Sequence, residues 1–547
     1  MSHIEIDKRE FEQLIGRSVS ENELKEKASN LGAHWNHLEG PKWDVEVYPN
    51  RPDLLSVEGL ARAYRGFFEV YTGKEEYEAK EHEISLEVDS SVEDVRPYIG
   101  GAVIRDLELT EKKINGLIQL QEKLHETMGR RRDKIAIGLH DLSELQAPFT
   151  YKTVEPESVD FTPLEHDKPL HLEDILEVHE KGKEYSWILE DAEKYPIIVD
   201  ANEKVLSFPP IINNQLTEVQ PSTTDVFVDV TGKDRKAVRK VLNILVTALS
   251  ERGGDIESVE VDGEIMPDLG SESRELDVEY FKKISGLDLT GEEIVHRLEM
   301  MKYGAELSEG VIEVEVPCYR NDVMHQYDLI EDVVIAHGYR EIEPEMPEID
   351  QIGGQEAIEK LTDTVREIIQ GTGALEAHSF ALSSDEKLFE NMNIEKEKVA
   401  RMNNALTKDY SVVRNWMLPS MMQVLESNRH RSYPQKIFEA SDTAVLDDSD
   451  TGVSNRRKLA YVHAGEVADY TDVKAVLQVL ERELGLELEV KSAEKGCFRQ
   501  GRAGDILVKG ERIGIIGELH DQVVENWGLE NEVAGFELDL ERMMENI

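Results

Sequence analysis

Four carboxylates, Asp322, Asp328, Glu331 and Asp332, fall within residues 322–332 of the 547-residue chain. Apolar residues around them predict a helix over 324–337. On it Asp328, Glu331 and Asp332 stand at i, i+3 and i+4, one above another on a single face. Leu329, Val333 and Val334 point elsewhere, toward a core. Three like charges on one face repel by a few tenths of a kcal/mol per pair, so something positive should sit opposite. A hard cation with oxygen ligands is one candidate and a basic partner group another; a solvated acidic face is the plainest reading. A second group lies in VLSFPPIINN and DVFVDVTG, within residues 205–232. Pro209 and Pro210 break regular structure, Asn213 and Asn214 suit a turn, and an alternating strand ends at Thr231 and Gly232. Polar side chains at strand ends beside tight turns can line a pocket, although turn chemistry alone also accounts for them.

The elements that must position these groups belong to an acidic chain. Asp plus Glu number 113 against 62 Lys plus Arg, a net charge of −51. That balance opposes non-specific binding to nucleic acid, which needs basic surface. The acid is spread along the whole sequence, the pattern of a surface adapted to a salty cytoplasm more than of one functional patch. No apolar run approaches the ~18 residues of a membrane span. The charged N-terminal stretch lacks a signal-peptide core, and two cysteines, Cys318 and Cys497, are too few for a disulfide framework or a zinc site. A cytoplasmic protein without a membrane segment is expected.

Four segments follow. Residues 1–75 read as a small α/β unit whose strand-turn-helix carries NRPDLLSVEGLAR (50–62). Residues 76–270 read as a larger mixed unit, with His140 at a strand end and basic runs at 130–134 and 233–240. Those runs could face a nucleic acid or pair within the chain. Residues 271–343 read as a compact helical unit, with two short helices separated by Gly286 in a helix-turn-helix arrangement. The second helix is too weakly basic for DNA phosphates, so no DNA partner is expected. Residues 344–547 read as a largely antiparallel sheet backed by helices.

Taken in series, NRPDLLSVEGLAR (50–62), SFPPIIN (207–213) with VDVTG (228–232), YRNDVMHQYDLIEDVVIAHGY (319–339), and VVRNWMLPSMM (412–422) with KIFEASD (436–442) resemble the β subunit of phenylalanyl-tRNA synthetase, archaeal and eukaryotic type. The resemblance covers essentially the whole chain. It implies an α+β multidomain fold: a small N-terminal α/β domain (1–75), a tRNA-editing domain (76–270), a winged helix-turn-helix-like unit (271–343) and a class II synthetase-like domain without catalytic motifs (344–547). It implies an α2β2 heterotetramer that charges tRNA(Phe) with phenylalanine, using ATP and Mg2+, with the synthetic active site in the α subunit. The family's Mg2+ ligands, in a site shared with α, would be Asp322, Asp328, Glu331 and Asp332. The family's central β domain hydrolyses mischarged Tyr-tRNA, and the matching pocket residues are Ser207, Asn213, Asp229 and Thr231, with Pro209 and Pro210 shaping the loop. No Ser-His-Asp arrangement is visible, so a positioned water is the expected nucleophile. The apolar stretch 412–422, with Arg414, is expected to contribute to the α interface, and Arg512 and Arg542 to be surface arginines. A non-editing scaffold that only assembles the synthetase and holds tRNA is the competing reading.

Overall fold

The computed structural model describes residues 2–26, 28–38 and 40–546. Contacts divide the chain into two compact units, 1–346 and 347–547.

The first unit contains three sheets. Strands Ser2–Asp7, Lys42–Val47 and Ala33–His37 form an antiparallel sheet with Lys42–Val47 in the middle. Helices Lys8–Ile15 and Val57–Phe67 cover it, and Phe11, Trp35, Trp43 and Tyr64 interlock beneath them at ring separations of 5.4–6.0 Å. The second sheet has ten strands. Next to one edge of it, Val226–Gly232 pairs antiparallel with Tyr98–Arg105 on one side and with the edge strand Ile135–Asp141 on the other. Helix Arg235–Ser250 packs behind it, started by Asp234, whose side chain accepts from Ala237 N–H.

The third sheet was not anticipated in a segment read as helical. Strands Glu272–Asp277, Val311–Val316 and Gly304–Ser308 form it, again with the last-made strand in the middle. It repeats the first sheet. Each copy starts with a strand capped by an aspartate (Asp7, Asp277) into an eight-residue helix that ends on a left-handed glycine (Gly16, Gly286). A second short helix, two strands, an Arg-x-Asp turn (Arg51 and Asp53; Arg320 and Asp322) and a third helix follow in both. Strands of five or six residues beside charged helices give weak alternation, which hid the duplication.

In the second unit a seven-stranded sheet is antiparallel except where Leu375–Glu376 meets Gln435–Leu446. Both faces are buried. Phe438, Ala440, Leu459 and Tyr461 face a core with helices Ala357–Gly371 and Tyr470–Leu484. Their neighbours Ile437, Ala460 and Val462 face an opposite core with helix Leu418–Ser427.

Candidate functional site

In the second sheet a cavity of about 420 Å³ collects Ser207, Asn213, Asp229 and Thr231, with Pro209 and Pro210 in its wall. Ile114, Leu117 and Leu139 supply apolar lining from helix Glu111–Glu126 and strand Ile135–Asp141. Asp229 and Thr231 are two residues apart on one strand and therefore share a face. Asp229 lies opposite Gly138 in the neighbouring strand. A Cβ there would overlap Asp229 Oδ2 and lie 2.6 Å from His140 Nε2, so the glycine makes room for both side chains.

His140 is fully buried and sets Asp229. Its Nε2 donates to Asp229 Oδ2 at 2.8 Å, since the carboxylate can only accept, while Nδ1 meets Thr217 Oγ1 at 2.8 Å. With both ring nitrogens committed, His140 orients the carboxylate and does not serve as a base toward the cavity. Ser207 Oγ is buried, and among the described residues it has no hydrogen-bond partner, histidine or other. Asn213 Nδ2 donates to Leu139 O at 3.2 Å.

Arg96, absent from sequence reasoning, sits behind Thr231. Its Nε donates to Thr231 Oγ1 (3.0 Å), and its Nη atoms donate to the carbonyls of Thr231 (2.9 Å), Arg132 (3.1 Å) and Asp133 (3.0 Å). Burial pulls its pKa down to about 10, because the guanidinium bonds to carbonyls and a hydroxyl and not to a carboxylate. Thr231 Oγ1 accepts from Arg96, which leaves its own O–H available as a donor.

Two of the carbonyls that hold Arg96, those of Arg132 and Asp133, belong to an unusual turn. Arg130, Arg131 and Arg132 have φ of 48°, 57° and 66°. Left-handed backbone outside glycine costs about 1 kcal/mol or more per residue. Arg131 N–H to His125 O (2.8 Å) and Lys134 N–H to Gly129 O (2.9 Å) close the turn. Arg132 is buried in the cavity wall and donates to Ile211 O (2.9 Å) and Glu122 Oε1 (2.8 Å).

His125 beneath this turn gives a pH signature. Its Nε2 accepts from Ile137 N–H at 2.9 Å, which requires the neutral ring, and burial pulls its pKa down to about 4. The unfolded chain then binds an extra proton between about pH 6.5 and 4. Stability is complete above pH 6.5 and falls by on the order of 3 kcal/mol toward pH 4. Denaturant melts at pH 7, 6 and 5 should show this slope, and His125→Gln should flatten it.

Comparison with known proteins places this geometry. Residues 107–262 match the B3/4 domain, 274–339 the tRNA synthetase B5 domain, and 342–540 the phenylalanyl tRNA synthetase beta chain CLM domain. The chain is 41% identical over 555 residues to the phenylalanine–tRNA ligase β subunit of Pyrococcus abyssi, covering 99% of each. It is 42% identical over 547 residues to that of Methanosarcina acetivorans, covering 99% of this chain and 98% of the relative. The chain belongs to the phenylalanine–tRNA ligase β subunit family. A solved N-terminal fragment of the phenylalanyl-tRNA synthetase β subunit from Pyrococcus horikoshii is also similar. It shares 38% identity at a TM-score of 0.59, over 62% of this chain and 100% of the fragment. As a β subunit the chain is part of an aminoacyl-tRNA synthetase, and the α+β fold read from the sequence stands.

Two expectations for this β subunit need correction. Asp322, Asp328, Glu331 and Asp332 do line one hollow of about 260 Å³, but Asp322, Asp332 and one oxygen of Asp328 are held by groups of the chain itself. Arg320 forks onto Asp322 (2.8 and 2.8 Å) and also donates to Asp332 (2.7 Å), which takes Tyr303 O–H as well (2.5 Å). Asp328 Oδ2 accepts from Met324 and His325 N–H, both 2.7 Å, and caps helix Gln326–His337. Among the described residues no group of three or more His, Cys, Asp or Glu could hold a metal ion. The set therefore does not fit a four-carboxylate Mg2+ shell; the positive group opposite the acidic face is a buried arginine. Burial raises Asp322 but Arg320 outweighs it and holds the carboxyl down at about 2. Glu331 is raised, by burial and then by Asp332, Asp328 and Asp322.

The second correction concerns the stretch 412–422. Val412, Met417, Leu418, Met421 and Met422 are fully buried in the unit's own cores, and Arg414 is buried with them. They are not available to another subunit. Arg512 and Arg542 are exposed, as expected.

Proposed function

We propose that this β subunit proofreads: the cavity hydrolyses the ester of tyrosine wrongly attached to tRNA(Phe), while the α subunit makes Phe-tRNA(Phe) from ATP, phenylalanine and tRNA, with Mg2+, at its own active site. The observation that carries the reading is the pairing of an apolar cavity with one carboxylate, Asp229, pinned by His140. A phenol entering that cavity donates its proton to Asp229, whereas phenylalanine offers no donor to the carboxylate beyond the one His140 already supplies. Sites built to hydrogen-bond a substrate hydroxyl reject the analogue without it far more strongly than apolar pockets reject an added hydroxyl. Ser207 has no base, so it is not the nucleophile. A water attacks the ester carbonyl, with the Thr231 hydroxyl placed as a donor, and tyrosine and free tRNA leave. The purified chain, alone and with α, should deacylate Tyr-tRNA(Phe) and spare Phe-tRNA(Phe). Failure in both preparations would leave only a scaffold.

Assembly as an α2β2 cytoplasmic enzyme is part of the same reading. In the second unit Phe380 (77% exposed) sets its ring 6.2 Å from that of the part-exposed Tyr410, and Leu382, Met402 and Leu406 (100% exposed) are exposed apolar residues of the same two stretches, 380–382 and 402–410. Ladder contacts tie this neighbourhood together: Leu382 pairs Val413, and Met402 N–H donates to Ser411 O. This apolar face is the docking surface for α. Phe380→Asp should shift the complex toward free subunits in size-exclusion chromatography without changing the melting of the isolated chain.

A further inference from the structure

The left-handed arginine turn carries more charge than its folding role uses. Most of the basic side chains in the two runs near the cavity are neutralised inside the chain. Lys134 pairs with Asp234 (3.0 Å), Lys233 with Asp133 (2.6 Å), Arg235 and Arg239 with Glu264, and Lys240 with Glu272 (2.7 Å). Arg132 is spent on Glu122 and the loop carbonyls. Arg130 and Arg131 are exposed and make no ion pair among the described residues, in a chain of net charge −51. Their backbone N–H groups are turned inward onto Thr127 O and His125 O, so only the guanidinium groups face outward. Buried Arg96 and Arg132 lock the turn to Thr231 and to the cavity wall.

We propose that Arg130 and Arg131 form a phosphate-binding rim that holds the single-stranded end of an aminoacylated RNA as its ester enters the cavity. The left-handed turn presents two guanidinium groups beside the cavity, and their planar forks match phosphate oxygens. Elsewhere the acidic surface repels the strand, so a local pair of free arginines sets where it can approach. The inference rests on the proofreading reading of the cavity, yet its test is separable.

The full-length chain is titrated with deacylated tRNA(Phe) from low to high KCl, as wild type and as the double variant Arg130→Gln, Arg131→Gln. Each phosphate contact on a single strand contributes about 0.7 to the slope of log affinity against log salt, so the variant's slope should be shallower by about 1.4. KM for Tyr-tRNA(Phe) should rise with kcat nearly kept, and Arg130→Lys, Arg131→Lys should restore much of the slope. Thermal melting reports whether the variant is folded. An unchanged slope in a folded variant overturns the rim, and is the outcome expected if the two arginines instead meet an acidic protein surface. If the slope falls but neither chain deacylates Tyr-tRNA(Phe), the cavity reading fails and the rim stands.

Discussion

Asp229→Asn should lower deacylation of Tyr-tRNA(Phe) about 100-fold or more and leave phenylalanylation by the assembled enzyme at the wild-type rate. The amide has the carboxylate's shape, and its oxygen can still accept from His140 Nε2, which lies 2.8 Å from Oδ2 in the native side chain. The other terminus becomes an NH2 group, a donor where the phenol needs an acceptor. Binding of the tyrosyl group is thereby opposed without emptying the cavity. Asn213→Ala combined with Asp229→Ala should be at least as damaging, since Asn213 also lines the cavity and bonds strand Ile135–Asp141 through Leu139 O. Accumulation of Tyr-tRNA(Phe) during charging with tyrosine is the measurement. Persistent deacylation in both variants would exclude this cavity as the hydrolytic site.

Arg414→Ala should destabilise the second unit by about 3–5 kcal/mol, the cost of leaving a buried charge without its partner. Arg414 and Glu439 are each 1% exposed and joined at 2.9 Å. The same guanidinium donates to Ser379 Oγ (2.7 Å), Ser420 Oγ (3.2 Å) and Asp442 O (3.1 Å). Glu439 Oε2 accepts from Ser379 as well, so one substitution disconnects a whole polar cluster. Arg414→Met with Glu439→Gln, which removes both charges, should recover much of the loss. Urea unfolding of the chain reads both variants. A change in α association at unchanged stability would contradict this account.

Local sequence patterns carried some of these features and not others. The turn at Asn213 and the strand that ends at Thr231 are marked at short range by turn residues and alternation, whereas Ser207 and Asp229 enter as pocket residues only through the family resemblance. The antiparallel sheet backed by helices in the second unit is equally local, although its burial on both faces was not read. Arg96 was invisible because its partner Thr231 is 135 residues away, and nothing in DVRPYIGG signals that the arginine turns inward. Gly138 reads as an ordinary strand glycine until Asp229 lies opposite it. The carboxylate helix shows the opposite failure. Spacing revealed the like charges but could not reveal that Arg320, twelve residues before Asp332, already lies between them. The expectation that Arg414 lies at a subunit interface failed for the same reason: its partner Glu439 is on strand Gln435–Leu446.

The duplicated fold also dictates an order of assembly during synthesis. Glu58, on the third helix of the first copy, is 1% exposed and pairs with Arg252; nearby Arg65 pairs with Glu251 at 2.6 Å. All the strands and helices of the first copy exist once Phe67 has been made, but these counter-charges come at the far end of helix Arg235–Ser250. At ribosomal rates of ~5–20 residues per second the interval is about 10–40 s. Throughout it the nascent first copy must either keep Glu58 in water, with its helix undocked, or hold an uncompensated charge in its core. The N-terminal copy is thus made first and finished late, and the cavity-bearing domain between the copies closes the lock.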